Sequence, residues 1–455
     1  MNNSTIAAIA TPMGTGGIGI VRISGKDALN VAKKVFIPAK KNLEYISHTI
    51  HYGKIADNCG NIIDEALLSY MKGPHSYTGE DVVEINCHGS ITSVKKVLEL
   101  VLLSGATLAG KGEFTKRAFL NGKLDLAQAE AVIDIINSRS ERALSVAVNQ
   151  LEGKLSEGIN KIREYLVEVM AYVEAETDFP EDDVSGLNTD EVLERLESAK
   201  KELLHLLESS KYGMIYREGI SCAIIGRPNV GKSSLMNNLL GKTRAIVTDI
   251  PGTTRDFIEE SLSLGDFSLN IIDTAGNRET GDVVEKIGVD TALLAANDAQ
   301  LVLFVADLSV LPSKDDKLIA EKIKEKPVIM ILNKTDIERD HAEEEYRKLI
   351  SCPTVKLSAI SGAGAPLLKE EVEKLFSLNK IDENSALLTD IRHKESVTRA
   401  LESVEKALVT LKTGFPADML YIDIFDALSS LGEVVGMSVS EEVVDKIFAK
   451  FCVGK

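Results

Sequence analysis

"SCAIIGRPNVGKSSLMNNLLG", residues 221–241, joins an apolar run to a helix-forming run through a loop rich in glycine, proline and asparagine. Gly226 and Gly231 let the backbone curl without Cβ clashes, so successive N–H groups can face a phosphate. Lys232 then places a point charge between β- and γ-phosphates, and the Ser233 hydroxyl suits Mg2+. A strand before and a helix after give the letters the context they need, which makes Asn229, Val230, Gly231, Lys232, Ser233 and Ser234 the expected nucleotide contacts. "GTGGIG" at 14–19 has the letters of a dinucleotide fingerprint without that context. "IGIVRISG" after it reads as a strand and Pro12 interrupts what precedes, so it is a glycine-rich turn.

Four further segments follow in the order a GTPase needs. "GTTRD" at 252–256 offers Thr254, by spacing, to complete a Mg2+ shell and sense the γ-phosphate. "DTAG", made of Asp273, Thr274, Ala275 and Gly276, puts a carboxylate near the metal and a glycine N–H near the γ-phosphate. "NKTD" at 333–336 brings Asn333, Lys334 and Asp336; the Asp336 carboxylate can accept both the N1–H and the exocyclic amine of guanine. Adenine would leave it unpaired. Ser358, Ala359 and Ile360 form the loop that meets guanine O6 through a backbone N–H.

At 455 residues the chain is expected to hold about three domains. Short β-like runs over 1–118 ("IGIVRIS", "EALLSYM", "DVVEINC") predict an α+β domain. Over 119–215 the texture is helical: Leu144, Val148, Leu151, Leu155, Ile159, Ile162, Leu166 and Val169 predict one apolar stripe on one long helix, stopped by Pro180 and "PEDDV". Apolar runs alternating with helix-length segments over 216–376 predict a mostly parallel sheet wrapped by helices. Helical spacing returns over 377–455, with Val397, Leu401, Val404, Leu408 and Leu411, and Ser438 with Glu441 as a capping box. The expected architecture is a multidomain α/β chain in which a discontinuous helical domain is interrupted by an inserted P-loop, Ras-like G domain.

With 69 acidic and 52 basic residues, net charge −17, the surface as a whole repels phosphate backbones, so any nucleic-acid contact is local or borrowed from a partner. Five cysteines without a CxxC pair fit a reducing cytoplasm and imply no metal site. The first 21 residues lack a basic start and contain Pro12 and four glycines, which excludes a signal peptide or membrane span there.

Cleavage of GTP needs positioning and added positive charge. A Ras-type enzyme has glutamine after DTAG; here Asn277, one methylene shorter, is a poor orienter of water. Arg255 and Arg278 lie in switch segments and read equally well as surface charges.

"GRPNVGKSS", "IVTDIPGTTRD", "DTAG" followed by "NRETGDVVEKIG", "ATPMGTGGIGIVRISG", "SYTGEDVVE", "GEFTKRAFLNGKLDLAQAEAV" and the terminal "FCVGK" together resemble the bacterial tRNA modification GTPase family MnmE, also called TrmE, over essentially the full length. The resemblance implies a homodimer whose G domains meet face to face on GTP, with K+ in place of an arginine finger. Asn229 would ligate that ion with backbone oxygens of Thr248, Ile250 and Thr253, in a nucleotide-binding loop that also includes Asp249, Pro251 and Gly252. Glu285 would orient the attacking water; by itself it reads as a solvated helix acid.

The resemblance further implies a folate-binding N-terminal domain, with Arg22, Glu80, Lys123 and Lys455 as ligands of a reduced folate (5-formyl- or methylene-tetrahydrofolate). A cation suits the folate's glutamate tail and a carboxylate the pterin's donor edge. Cys452 would be an exposed, reactive thiol near the substrate uridine, with Gly454 letting the end fold back; local sequence alone reads it as a half-buried cysteine ending an amphipathic helix. With a flavoprotein partner resembling MnmG, which would hold FAD in a heterotetramer or larger complex, such a cytoplasmic enzyme adds an aminomethyl or carboxymethylaminomethyl group to C5 of the wobble uridine of certain tRNAs. The rival readings are a ribosome-assembly GTPase of the Era or Der kind, which binds rRNA without modifying it, and a plain regulatory switch.

Replacing Asp336 by Asn is expected to move preference from guanine to xanthine nucleotides, because the amide can donate to the xanthine carbonyl. Competition binding with GDP and XDP checks this, and unchanged guanine selectivity would contradict the base-recognition role.

Overall fold

The computed structural model describes residues 4–178, 189–242, 258–272, 294–358, 364–376, 386–413 and 417–455. From the N-terminus the elements are β1 (Ile6–Ile9), β2 (Ile18–Ser24), α1 (Ala28–Val35), β3 (Phe36–Pro38), β4 (Thr49–Ala56), β5 (Ile62–Met71), β6 (Val82–His88), α2 (Ile91–Leu103), β7 (Thr107–Leu108) and α3 (Glu113–Leu120). The strands build one sheet in the order β3-β4-β5-β6-β2-β1-β7, antiparallel except where β7 joins β1. Period-two alternation decides its faces. Val21, Ile23, Ile85 and Leu68 turn toward Val31, Val97 and Val101 of α1 and α2 and form one core. Arg22 and Glu84 fall on the other face, opposite one another in the β2–β6 register, and pair at 2.8 Å. The 14–19 glycine segment precedes a strand and not a helix, as the turn reading expects.

Helices follow: α4 (Leu126–Asn137), α5 (Glu141–Leu151), α6 (Lys154–Asp178) and α7 (Thr189–Glu218). The single long helix expected through Leu144 to Val169 is two helices. Gly153, at φ 92, makes a left-handed turn that ends α5, and Leu144 and Val148 are exposed while Leu155, Ile159, Ile162, Leu166 and Val169 are buried. The Ser140 side chain caps α5 by accepting the Ala143 N–H at 3.1 Å.

The third region contains β8 (Ile220–Ile225), α8 (Lys232–Lys242), β9 (Ile258–Leu264), β10 (Phe267–Ile272), β11 (Leu301–Asp307), α9 (Lys314–Ile323), β12 (Val328–Asn333), α10 (Ala342–Arg347), β13 (Thr354–Lys356) and α11 (Ala365–Leu375). Its sheet runs β13-β12-β11-β8-β10-β9, parallel but for the β9–β10 pair. β11 and β12 are buried at every residue, as unbroken apolar runs covered on both faces require. The chain ends with α12 (Ile391–Thr413), α13 (Ala417–Val435) and α14 (Glu441–Phe448). Ser440, not Ser438, is the N-cap of α14, and its side chain makes no capping bond; the expected Ser438–Glu441 box starts two residues too early.

By packing, the chain divides into two compact units: residues 1–133, 156–199 and 402–455, and residues 134–155 and 200–401. In the second, Val146 of α5, Tyr216 of α7 and Leu387 join the core of the six-stranded sheet. A half-buried ion cluster sits beside that core. Arg217, the penultimate residue of the helix that feeds β8, donates to Asp134 at 2.8 Å and to Asp390. Burial alone would raise the Asp390 carboxyl; the Arg217 charge and hydrogen bond outweigh it and bring Asp390 from its ordinary 3.8 to about 2.

A depressed carboxylate contributes stability above its unfolded value and loses it as pH falls through the folded one. Arg217→Met should therefore cost about 1–3 kcal/mol at neutral pH, since two half-buried carboxylates lose their cation. In thermal unfolding, the gap between wild type and variant should narrow between about pH 4 and pH 2.

Candidate functional site

Parallel strands end on the same edge of a sheet, and crevices open where strand order reverses. β8 lies between β10 on one side and β11 on the other, and the loop 226–231 leaves its carboxyl end at that reversal. Gly226 and Gly231 have φ of 153° and 100°, and Asn229 adopts the left-handed region at 64°. A Cβ on Gly231 would meet Asn333 Nδ2 at 2.2 Å, so only glycine fits there. Lys232, the first residue of α8, donates to the Gly226 and Arg227 carbonyls at 2.7 and 2.8 Å, and burial lowers its ammonium from the ordinary lysine value. It spans the loop where a phosphate would lie. Ser233 and Ser234 are exposed beside it and Val230 is buried.

The residues expected on the guanine side converge on the same edge. Asn333 ends β12 and donates through Nδ2 to the Val230 carbonyl at 2.8 Å, tying the two loops together. Lys334, left-handed at φ 63°, donates to Asp307 Oδ2 at 2.7 Å. Burial by itself would raise the Asp307 carboxyl, but hydrogen bonds from Lys334 and Ser309 hold it below the ordinary range. Asp336 is exposed in a short 3-10 turn over 335–337, and Ser358 is buried just beyond β13. The remaining expected contacts, Thr248 to Thr254, Asp273 to Gly276, Glu285, Ala359 and Ile360, lie outside the described residues, as do Arg255, Asn277 and Arg278.

Two residues of this site were not expected from sequence. Asp307 closes the apolar run "LVLFVAD", and a lone acid ending a buried strand was the available signal. Asp316, fully buried, accepts the Ser313 N–H at 2.8 Å in a capping box on α9 and lies 3.4 Å from Arg227 Nε. Its Ser-x-x-Asp spacing marked a helix start, but only the fold reveals the loop arginine beside it.

The first unit holds the other candidate residues. Arg22 pairs with Glu84, faces the Gly454 carbonyl at 3.4 Å, and lies over the rings of Tyr77 and Phe114 at 5.6 and 5.7 Å. Glu80 accepts from Ser24 Oγ at 2.8 Å and from Arg117. Lys123 reaches the Pro74 carbonyl at 3.2 Å. The tail meets them from the other end of the chain. Val453 bridges Lys111 in antiparallel fashion, the Gly112 N–H donates to the Cys452 carbonyl and the Phe114 N–H to the Lys455 carbonyl, each at 3.2 Å. Gly454, at φ 98°, leaves 2.1 Å between a hypothetical Cβ and the Ile9 carbonyl, which forces glycine. The Lys455 ammonium is lowered by burial and by the Arg22 charge, whereas Cys452 is exposed. Arg22, Glu80 and the 452–455 tail thus share one face of the sheet with α3. Arg117, buried among them, was not singled out in "GEFTKRAFLNGKLDL", where nothing separates it from Lys116.

All five cysteines are free. Among the described residues no cluster of His, Cys, Asp and Glu could hold a metal ion, and no helix is long and apolar enough to cross a membrane.

A family model described as "MnmE helical domain" matches residues 126–452, and one described as "GTP-binding protein TrmE N-terminus" matches residues 5–123. The tRNA modification GTPase MnmE of Clostridioides difficile (strain 630) is 47% identical over 457 aligned residues, covering 100% of this chain and 99% of that protein. The protein of the same description from Acetivibrio thermocellus is 47% identical over 455, covering 99% of both. Among solved structures, the G domain of the T. maritima FeoB iron transporter is 33% identical and covers 34% of this chain and 98% of its own, at a TM-score of 0.26. The chain belongs to the family of the tRNA modification GTPase MnmE.

Proposed function

We propose that this GTPase of tRNA modification binds GTP at the loop 226–234, hydrolyses it with K+ and Mg2+, and, with a flavoprotein of the MnmG kind carrying FAD, adds an aminomethyl or carboxymethylaminomethyl group to C5 of the wobble uridine. The observation that carries the nucleotide part is the convergence of Lys232, Asn333 and Asp336 on the edge where β8 and β12 end. Similarity over the whole chain to tRNA modification GTPases carries the rest and does not favour an rRNA-binding factor of the Era or Der kind.

The described residues fit the proposed ions by donor chemistry. The exposed Asn229 amide oxygen and Ser233 hydroxyl are hard donors, suited to an alkali cation and to Mg2+. Together with Thr248, Ile250, Thr253 and Thr254, they would hold ions whose charge offsets that developing on the leaving phosphates. Lys232 exchanges its bonds to the Gly226 and Arg227 carbonyls for phosphate oxygens. The loop keeps its shape meanwhile, because Asn333 retains Val230. Asp336 selects guanine, and Glu285 orients water.

In the first unit, reduced folate would lie against Arg22, Glu80, Lys123 and Lys455. The cations take its glutamate carboxylates and Glu80 the pterin donors; the rings of Tyr77 and Phe114 under the Arg22 guanidinium hold that cation in place. Cys452, exposed beside Gly112, is the proposed nucleophile toward the uridine. The working form is a cytoplasmic homodimer, joined by the flavoprotein in a heterotetramer or larger assembly.

Mass spectrometry of tRNA nucleosides from cells lacking the gene tests the function directly; an unchanged wobble uridine would overturn it. Cys452→Ser should abolish the modification and leave GTP turnover near wild type, whereas loss of both would assign the cysteine to folding. Asn229→Ala should remove the advantage of K+ over Na+ in GTP turnover, and an unchanged ratio would refute the ion assignment.

A further inference from the structure

Arg117 lies on α3 with its side chain 9% exposed, and none of the contacts described above makes it a ligand. Its Nη1 donates to Glu80 Oε1 at 3.2 Å, to Glu80 Oε2 at 3.1 Å and to the Ser4 carbonyl at 2.9 Å. Its Nη2 donates to Glu113 Oε1 at 2.9 Å. The other Glu113 oxygen accepts the Gly110 N–H at 2.7 Å, in the short loop whose Gly112 N–H holds the Cys452 carbonyl. One guanidinium therefore joins the Glu80 carboxylate to the loop that seats the tail.

A carboxylate offers about four lone-pair positions. Arg117 and Ser24 occupy part of those on Glu80, and Ser24 is itself fixed by a 2.7 Å bond to Thr78 inside the fold. The Glu80 side chain stays 28% exposed, so its plane is set from behind while acceptor capacity remains in front. Arg117 has to be arginine for this. The planar fork reaches Glu80 and Glu113 at once, whereas an ammonium is a single point charge on a flexible stem.

We infer that Arg117 is the positioning residue of the folate site: it presets the Glu80 carboxylate for the paired N–H donors of a pterin ring. The inference rests on the folate reading given under Proposed function. It assigns Arg117 to the pterin end alone, since the glutamate end is met by Arg22 and the lysines.

Calorimetry on the full-length protein with two probes, 5-formyltetrahydrofolate and p-aminobenzoylglutamate, tests it; the second probe lacks the pterin. Arg117→Lys should weaken the first about tenfold or more, the worth of a charge-assisted hydrogen bond, and leave the second unchanged. Arg22→Ala should weaken both. If Arg117→Lys does not fold, Ser24→Ala, which frees the same carboxylate from its other holder, should give a smaller loss with the same selectivity for the pterin probe. Equal losses for both probes would reduce Arg117 to a structural role, and undiminished binding of the first by a folded variant would likewise overturn the inference while leaving the folate reading intact. Wild type failing to bind 5-formyltetrahydrofolate would remove the folate reading, and the inference with it.

Discussion

The bond from the Asn333 amide to the Val230 carbonyl is the constraint on which the proposed nucleotide site depends. It forms inside the protein, where a lost partner would cost about 1–3 kcal/mol, and it links loops that are 103 residues apart. Parallel pairing makes it available. β11 lies between β8 and β12, all three strands point the same way, and their last residues reach one edge together. Asp307 arrives there opposite Asn333 in register, ready for Lys334. The glycine at 231 follows from the same closeness, because the Asn333 amide occupies the space a side chain would need.

What could be read from the sequence is what local chemistry dictates. A phosphate loop needs glycines, a lysine and a hydroxyl within nine residues, and a buried parallel strand needs an unbroken apolar run, so β8, β11 and β12 were all legible. Arg22, Glu80 and the tail came only through resemblance, since a lone arginine in a strand and an acid in a turn carry no local signal. The α5–α6 break was missed because the 3.6 period continues across Gly153 in letters, while the backbone turns left-handed there. Ion pairs between distant segments, such as Arg117 with Glu80, were out of reach: a pairing partner is set by strand register and helix placement, which charge pattern alone does not encode.

Each unit contains an arginine that holds two carboxylates from separate segments, Arg217 with Asp134 and Asp390, and Arg117 with Glu80 and Glu113. Such clusters contribute little net stability compared with apolar packing, because desolvation offsets the attraction. Their value lies in geometry. A guanidinium fork accepts few arrangements of its partners, so the end of α7 is fixed where β8 begins, and the turn bearing Glu80 is fixed where α3 begins.

The bridge between Lys111 and Val453 joins residues far apart in the sequence. During synthesis the ribosome releases the strands of the first sheet long before it makes the tail that completes their face. Until then Arg22 has its Glu84 partner and its aromatic neighbours but no Gly454 carbonyl above it. Construction of this face therefore waits until the tail has been made, and a nascent chain interrupted before it lacks the Gly454 carbonyl that faces Arg22.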